Sequence, residues 1–218
     1  MLFRSATGLL THSLPFSGNL VSAVDLNSTE AGEQTLAASG IGSLSIFGGD
    51  GNDTIDASAL SKAVTIEGGG GNDELYGGSG NDRIRGDYVQ RFDIAGHDSL
   101  WGGAGDDTLF GDSEWDGGTG NDVLDGGDGN DSLYASYGNN AIRGGAGTDT
   151  FWYGVSTSVV LTGASLQIGA NLYDFTGVEA GTLFGNDSNN TIDFREFPYG
   201  LTIEGHGGND ELYGGSGN

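Results

Sequence analysis

The chain has 218 residues, among them 44 Gly, 2 Pro and no Cys, and its 31 acidic and 7 basic residues give a formal net charge of −24. Glycine this frequent with so little proline excludes collagen and points to tight turns at close spacing. The missing cysteines exclude disulfides and thiolate metal sites, and the charge repels nucleic acid and anionic membranes while attracting cations.

Met1 to Leu14 carries one Arg and scattered apolar residues, without the continuous apolar core of a signal peptide. No stretch is long and apolar enough to span a bilayer as a helix. Residues 1–47 hold short strand-like segments with little Gly-Asp turn chemistry and are expected to form metal-poor rungs or an N-terminal cap. From Gly48 a nonapeptide recurs: Gly48 to Asp56 (GGDGNDTID), Gly68 to Tyr76 (GGGGNDELY), Gly77 to Arg85 (GGSGNDRIR), Gly102 to Phe110 (GGAGDDTLF), Gly117 to Asp125 (GGTGNDVLD), Gly126 to Tyr134 (GGDGNDSLY) and Gly144 to Trp152 (GGAGTDTFW). Weaker copies are Ala135 to Arg143 (ASYGNNAIR) and Gly185 to Asp193 (GNDSNNTID). The template is G-G-x-G-x-D-x-U-x, with U large and apolar.

Residues 48–152 are therefore one repeat block, 153–184 a metal-poor spacer, and 185–218 the start of a second block. Thr54 to Asn81 matches Thr191 to Asn218 without gaps at 19 of 28 positions. At the same offset the spacer matches the N-terminal segment, so both are expected to continue one coil, with Leu44, Ile46, Leu183 and Ile192 facing inward. The second block stops halfway through a nonapeptide, which reads as part of a longer tandem array with adjoining repeats.

Glycine at positions one, two and four permits positive φ and close backbone approach. The turn can then aim carbonyl oxygens at a common centre, and Asp at position six adds a carboxylate. The x-U-x that follows is a three-residue strand with U on the inner face. Carbonyls and carboxylates are hard oxygen ligands that suit Ca²⁺, and one turn offers fewer than the six to eight it takes, so a stacked turn must complete the set. Stacked strands lie about 4.8 Å apart. Carboxylates at that spacing repel by roughly 0.9 kcal/mol per pair even in water, so the stack needs cations.

The seven full copies resemble the hemolysin-type calcium-binding repeats of the RTX (repeats-in-toxin) proteins. The resemblance implies an all-β fold, a right-handed parallel β-roll or β-helix solenoid with several Ca²⁺ ions in its glycine-rich turns. It also implies a secreted, extracellular bacterial protein, exported by a type I route. Two nonapeptides form one coil in that family, so alternate repeats should stack. One side would then carry Ile55, Leu75, Leu100, Leu124 and Ile142, and the other Ile66, Ile84, Leu109, Leu133 and Phe151. The candidate carboxylates are Asp53, Asp73, Asp98 and Asp122, with Asn140 ending that column; Asp82, Asp107, Asp131 and Asp149 in the second column; and Asp210 in the second block. The candidate turn glycines are Gly49, Gly51, Gly69, Gly71, Gly78, Gly80, Gly103, Gly105, Gly118, Gly120, Gly127, Gly129, Gly145 and Gly147. Asn190, standing where Asp53 stands in the first block, predicts a weaker first site in the second block.

Two insertions, between Ile84 and Leu100 and between Leu109 and Leu124, fall on one edge. They place Asp87, Tyr88, Phe92, Asp93, Asp112, Glu114, Trp115 and Asp116 there, as tolerated loop growth or as an extra calcium or ligand site. Tyr76 and Trp101 on one side, and Phe110, Tyr134 and Trp152 on the other, read as outward stacking ladders, with a sugar-binding platform as the alternative. His12, His97 and His206 are isolated; no H-E-x-x-H or G-x-S-x-G is present, and His97 reads as a turn residue. The sequence thus predicts a calcium-dependent structural module without catalysis, with a module adhering to polysaccharide or a cell surface, or the non-catalytic part of a secreted hydrolase or toxin, as alternatives.

Overall fold

The computed structural model describes residues 44–87, 96–112, 119–168 and 173–217, together with the backbone of strands 9–12, 23–25, 34–37 and 171–172. Among these residues every regular element is a strand. The x-U-x triplets of the repeat block bury their middle residue: Thr54–Asp56 and Thr108–Phe110 both bury the centre, as do the longer strands Ser99–Ala104 and Val123–Asp128. Consecutive strands of the block alternate between two sheets and each pairs in parallel with the strand one coil away, so the chain winds into a solenoid rather than a layered sandwich.

Two sheets form its walls, one of 9 strands and one of 10. In the first, Ile66, Ile84, Leu109, Leu133 and Phe151 are direct partners in parallel register. In the second, Ile55, Leu75, Leu100, Leu124 and Ile142 are. Both ladders are the ones expected from alternate stacking, and the fold is an all-β parallel solenoid of the β-roll type. Between the sheets lies a slim apolar column in which these side chains are almost fully buried.

The coil extends in front of Gly48, since Ala23–Asp25 pairs in parallel with Leu44–Asp50, whose Leu44 and Ile46 are buried. Leu9–His12 and Gln34–Ala37 make a separate antiparallel pair.

The spacer departs from a plain rung. On one wall Ala180–Phe184 continues the parallel ladder between Thr150–Gly154 and Gly200–Glu204. On the other, three antiparallel strands, Val159–Thr162, Ser165–Ile168 and Asn171–Thr176, are inserted between Ala141–Ala146 and Thr191–Asp193. The reason is volume. Phe151, Phe175, Phe194 and Phe197 cluster here with edge-to-face contacts as close as 4.8 Å between centroids. Gly181 stands in the inward register against Phe151, where a Cβ would sit 2.2 Å from the ring. This stretch is held by aromatic burial, each such ring removing about 150–250 Å² from water, in place of glycine-turn chemistry.

Candidate metal sites in the turns

The turns stack through two side-chain ladders that run in opposite directions. At position five, the side chain accepts a hydrogen bond from the backbone N–H one coil later: Asn52 Oδ1 from Asn72 at 2.9 Å, Asn72 Oδ1 from His97 at 2.9 Å, and His97 Nδ1 from Asn121 at 2.9 Å. This explains why Asn recurs at position five of the Gly-Asn-Asp turns. It also gives His97 a structural role as an acceptor in the ladder.

At position six the acceptor faces the other way. Asp73 Oδ1 accepts from the Asp53 N–H at 2.8 Å, Asp98 Oδ1 from Asp73 at 2.8 Å, Asp122 Oδ1 from Asp98 at 3.0 Å, and Asn140 Oδ1 from Asp122 at 2.7 Å. On the opposite edge Asp107, Asp131 and Asp149 do the same for the residues before them at 2.7–2.8 Å. Glu179 Oε2 closes that column by accepting from the Asp149 N–H at 2.8 Å. No nonapeptide marks Glu179; only the coil brings it against a residue 30 positions earlier.

One oxygen of each Asp is thereby used, and the other defines the site. Oδ2 of Asp73, Asp98, Asp107, Asp122, Asp131 and Asp149 is buried without a hydrogen-bond partner. A buried carboxylate oxygen with no donor is costly. The cost shows in the acidities: burial first of all raises Asp73, Asp107 and Asp122 to about 7, Asp131 to about 6 and Asp98 to about 9.

Each Oδ2 lies beside the position-one glycine of its own turn, and at Asp73, Asp98, Asp107 and Asp131 the position-one carbonyl of the next coil approaches the same point. A Cβ on Gly102 would meet Asp107 Oδ2 at 2.4 Å and Gly126 O at 2.5 Å; on Gly126 it would meet Asp131 Oδ2 at 2.2 Å and Gly144 O at 2.6 Å. The three template glycines therefore serve two purposes. Positions two and four take positive φ, as at Gly103 (110°) and Gly105 (113°), whereas the position-one glycines of the repeat block do not, and are there for space. Gly126→Ala needs no change of φ but sets a Cβ against Asp131 Oδ2 and Gly144 O, and should accordingly raise the calcium midpoint of folding several-fold, as read by circular dichroism; an unchanged midpoint would remove Gly126 from the site.

Where Asn replaces Asp, an amide does what a cation would do. Asn140 Nδ2 donates to the position-two carbonyl of Ser136 at 3.2 Å, and Asn190 Nδ2 donates to Thr157 O at 3.1 Å. At Asn140 positive hydrogen density thus stands where the Asp turns leave Oδ2 unpartnered, whereas at Asn190 it is Oδ1 that lies beside Gly185 and Gly205 O. The open Oδ2 of each Asp turn is a hard oxygen donor of the kind calcium takes. Among the described residues no three carboxylate or imidazole groups converge, so each site rests on few carboxylates and many carbonyls, as hard-cation sites can.

Several candidate residues sit differently. Asp82 Oδ2 accepts from Gly78 N at 2.6 Å, because the coil before it carries the Ala57–Ala63 loop in place of a glycine turn. Gly78, Gly80 and Gly120 do not take the positive φ expected of turn glycines. Asp210 Oδ1 accepts from Asn190 N at 2.8 Å. Gly118 lies outside the described residues, as do Tyr88, Phe92, Asp93, Glu114, Trp115 and Asp116 of the inserted edge.

The aromatic ladders are stacks. Tyr76 and Trp101 lie 4.4 Å apart at 3°, Phe110 and Tyr134 4.5 Å apart at 12°, and Tyr134 and Trp152 4.3 Å apart at 6°. Arg83 lies over the Phe110 ring at 4.4 Å. The facing sides of these rings are packed on one another, and Phe110 also lies under a guanidinium, as cross-strand packing gives.

The RTX calcium-binding nonapeptide repeat family matches with 4 copies, over residues 45–59, 65–87, 95–114, 116–151 and 202–218, more than half of the chain. No curated protein and no solved structure matches it significantly. The matched stretches leave out the aromatic spacer and the Asn190 turn, whose polar groups are satisfied without a cation. The chain belongs to the RTX calcium-binding nonapeptide repeat family, as a calcium-binding structural β-roll.

Proposed function

We propose that this β-roll is a calcium-dependent structural module of a secreted or surface bacterial protein, exported by a type I route and folding outside the cell, where calcium is abundant. The row of buried, unpartnered Asp Oδ2 atoms carries this reading. Calcium held by Asp73, Asp98, Asp107, Asp122, Asp131 and Asp149, with position-one and position-two carbonyls, supplies the positive charge that lets these turns stack. RTX repeats are typical of secreted bacterial proteins, and no helix among the described residues is long and apolar enough to cross a membrane. The module has no catalytic part of its own: the repeat solenoid is a structural fold, and His97 is engaged in the turn ladder.

The test is a calcium titration followed by far-UV circular dichroism. The chain should be largely unfolded in EDTA and gain β-structure cooperatively, with Kd in the range of about 10⁻⁴–10⁻³ M typical of extracellular modules. Mg²⁺ should substitute poorly, since it demands smaller octahedral geometry. Identical spectra in EDTA and in saturating calcium would overturn the reading.

A further inference from the structure

We propose that the carboxylate pairs Asp87/Asp98 and Asp112/Asp122 form a separate class of calcium site, each turn presenting two carboxylates where an ordinary nonapeptide turn presents one. The proposal rests on the calcium reading above and adds to it a distinction between sites.

Placed on the repeat template, Gly86, Asp87, Gly96, His97 and Asp98 fill positions one, two, four, five and six, and Gly111, Asp112, Gly120, Asn121 and Asp122 fill them one coil later. Position two is glycine with positive φ at Gly49, Gly69, Gly103, Gly127 and Gly145. In the two inserted turns it is Asp, and the turn is rebuilt around that side chain: Gly96 N donates to Asp87 Oδ2 at 2.8 Å and Gly120 N to Asp112 Oδ2 at 3.3 Å. No backbone N–H or basic side chain reaches the remaining Oδ1 of Asp87 and of Asp112, whose carboxyls face each other across the coils, nor Oδ2 of Asp98 or of Asp122. All four residues are at most 3% exposed.

The two carboxylates of the second turn come close beside Gly120, where Asp122 presents the Oδ1 that also accepts from the Asp98 N–H, while its open Oδ2 lies beside Gly111. The point where a Cβ would stand on Gly120 is 2.6 Å from Asp122 Oδ1, 3.0 Å from Asp112 Oδ1 and 2.5 Å from Gly96 O. One turn thus brings two carboxylates, and the stacked turn a carbonyl, to one place. The equivalent point on Gly129 or Gly147, in the ordinary turns of the opposite edge, meets only backbone atoms. Four buried carboxylates with unpaired oxygens on one edge are strongly unfavourable unless cations compensate them. Among oxygen-ligand sites, calcium affinity rises with ligand charge count, so the doubled turns fill first and the single-carboxylate turns follow.

Isothermal titration calorimetry of the full chain with CaCl₂ tests this. The wild type should show a tight class of about two ions, at least tenfold tighter than the rest. In the Asp87→Asn/Asp112→Asn variant the tight class should weaken at least tenfold, while circular dichroism at saturating calcium still shows the β-roll. Asp107→Asn should deplete only the weaker class. A single class in the wild type overturns the proposal, as does a tight class unmoved by the double substitution. Should the double variant not fold, Asp112→Asn alone and the wild-type isotherm decide. If the wild type binds no calcium at all, the calcium reading fails; if it binds in one class, only the distinction between sites does.

Discussion

In EDTA, lowering the pH from about 8 to about 5 should restore β-structure that the calcium-free chain lacks at neutrality. An unfolded aspartate titrates near 3.9. In the folded turns burial raises Asp131 to about 6, Asp73, Asp107 and Asp122 to about 7, Asp112 to about 8 and Asp98 to about 9. The folded state therefore holds more protons than the unfolded one, and stability falls with rising pH. The contribution of these groups is fully present below about 4 and is lost progressively as the pH climbs through 6 to 9. Protons and calcium do the same work here, since each neutralises a buried carboxylate whose Oδ2 no protein donor reaches. With saturating calcium the pH dependence over this window should flatten. Circular dichroism in paired EDTA and calcium series checks both halves; a calcium-free chain with more β-structure at pH 8 than at pH 5 would contradict the buried carboxylate column.

Asp107→Ala should be among the most damaging single changes in the block, and Asp56→Ala among the mildest. Asp107 Oδ1 accepts the buried Asp82 N–H, its own N–H donates to Asp131 Oδ1, and its Oδ2 is the unpartnered site oxygen. Alanine strands the Asp82 N–H, at about 1–3 kcal/mol. It also forfeits an ion that contributes about 2.7 kcal/mol at a hundredfold excess over Kd. Asp56 caps only the exposed turn at Ser58, and its loss should stay near 0.5 kcal/mol. Asp107→Asn separates the two roles. It keeps the acceptor for Asp82 N–H and, as at Asn140, offers an amide to the facing carbonyl. In EDTA it should therefore be more stable than the wild type, and in calcium less. Urea unfolding in both buffers reads the crossover; an Asn variant weaker than wild type in both would show that Oδ2 faces no cation.

Periodicity alone determined much of this protein. A nonapeptide with a fixed apolar position dictates a strand of period two between glycine turns, and the resemblance to a family with two nonapeptides per coil assigned Ile55 through Phe151 to their two ladders. The acidic position six was legible as well, since a carboxylate in every turn of so negative a chain calls for a cation. Which oxygen of that carboxylate remains open was not legible. It depends on the N–H of the preceding coil occupying Oδ1, a contact between residues 18 to 25 apart that no local pattern contains. The role of position-one glycine as space beside Oδ2, the Glu179 closure, the pairing of Asp87 with Asp98 and Asp112 with Asp122, and the antiparallel insert around Phe151 and Phe175 are decided in the same way. Each requires one coil to be set against the next, because stacking fixes which atoms meet while the sequence of a single turn fixes only which atoms are present.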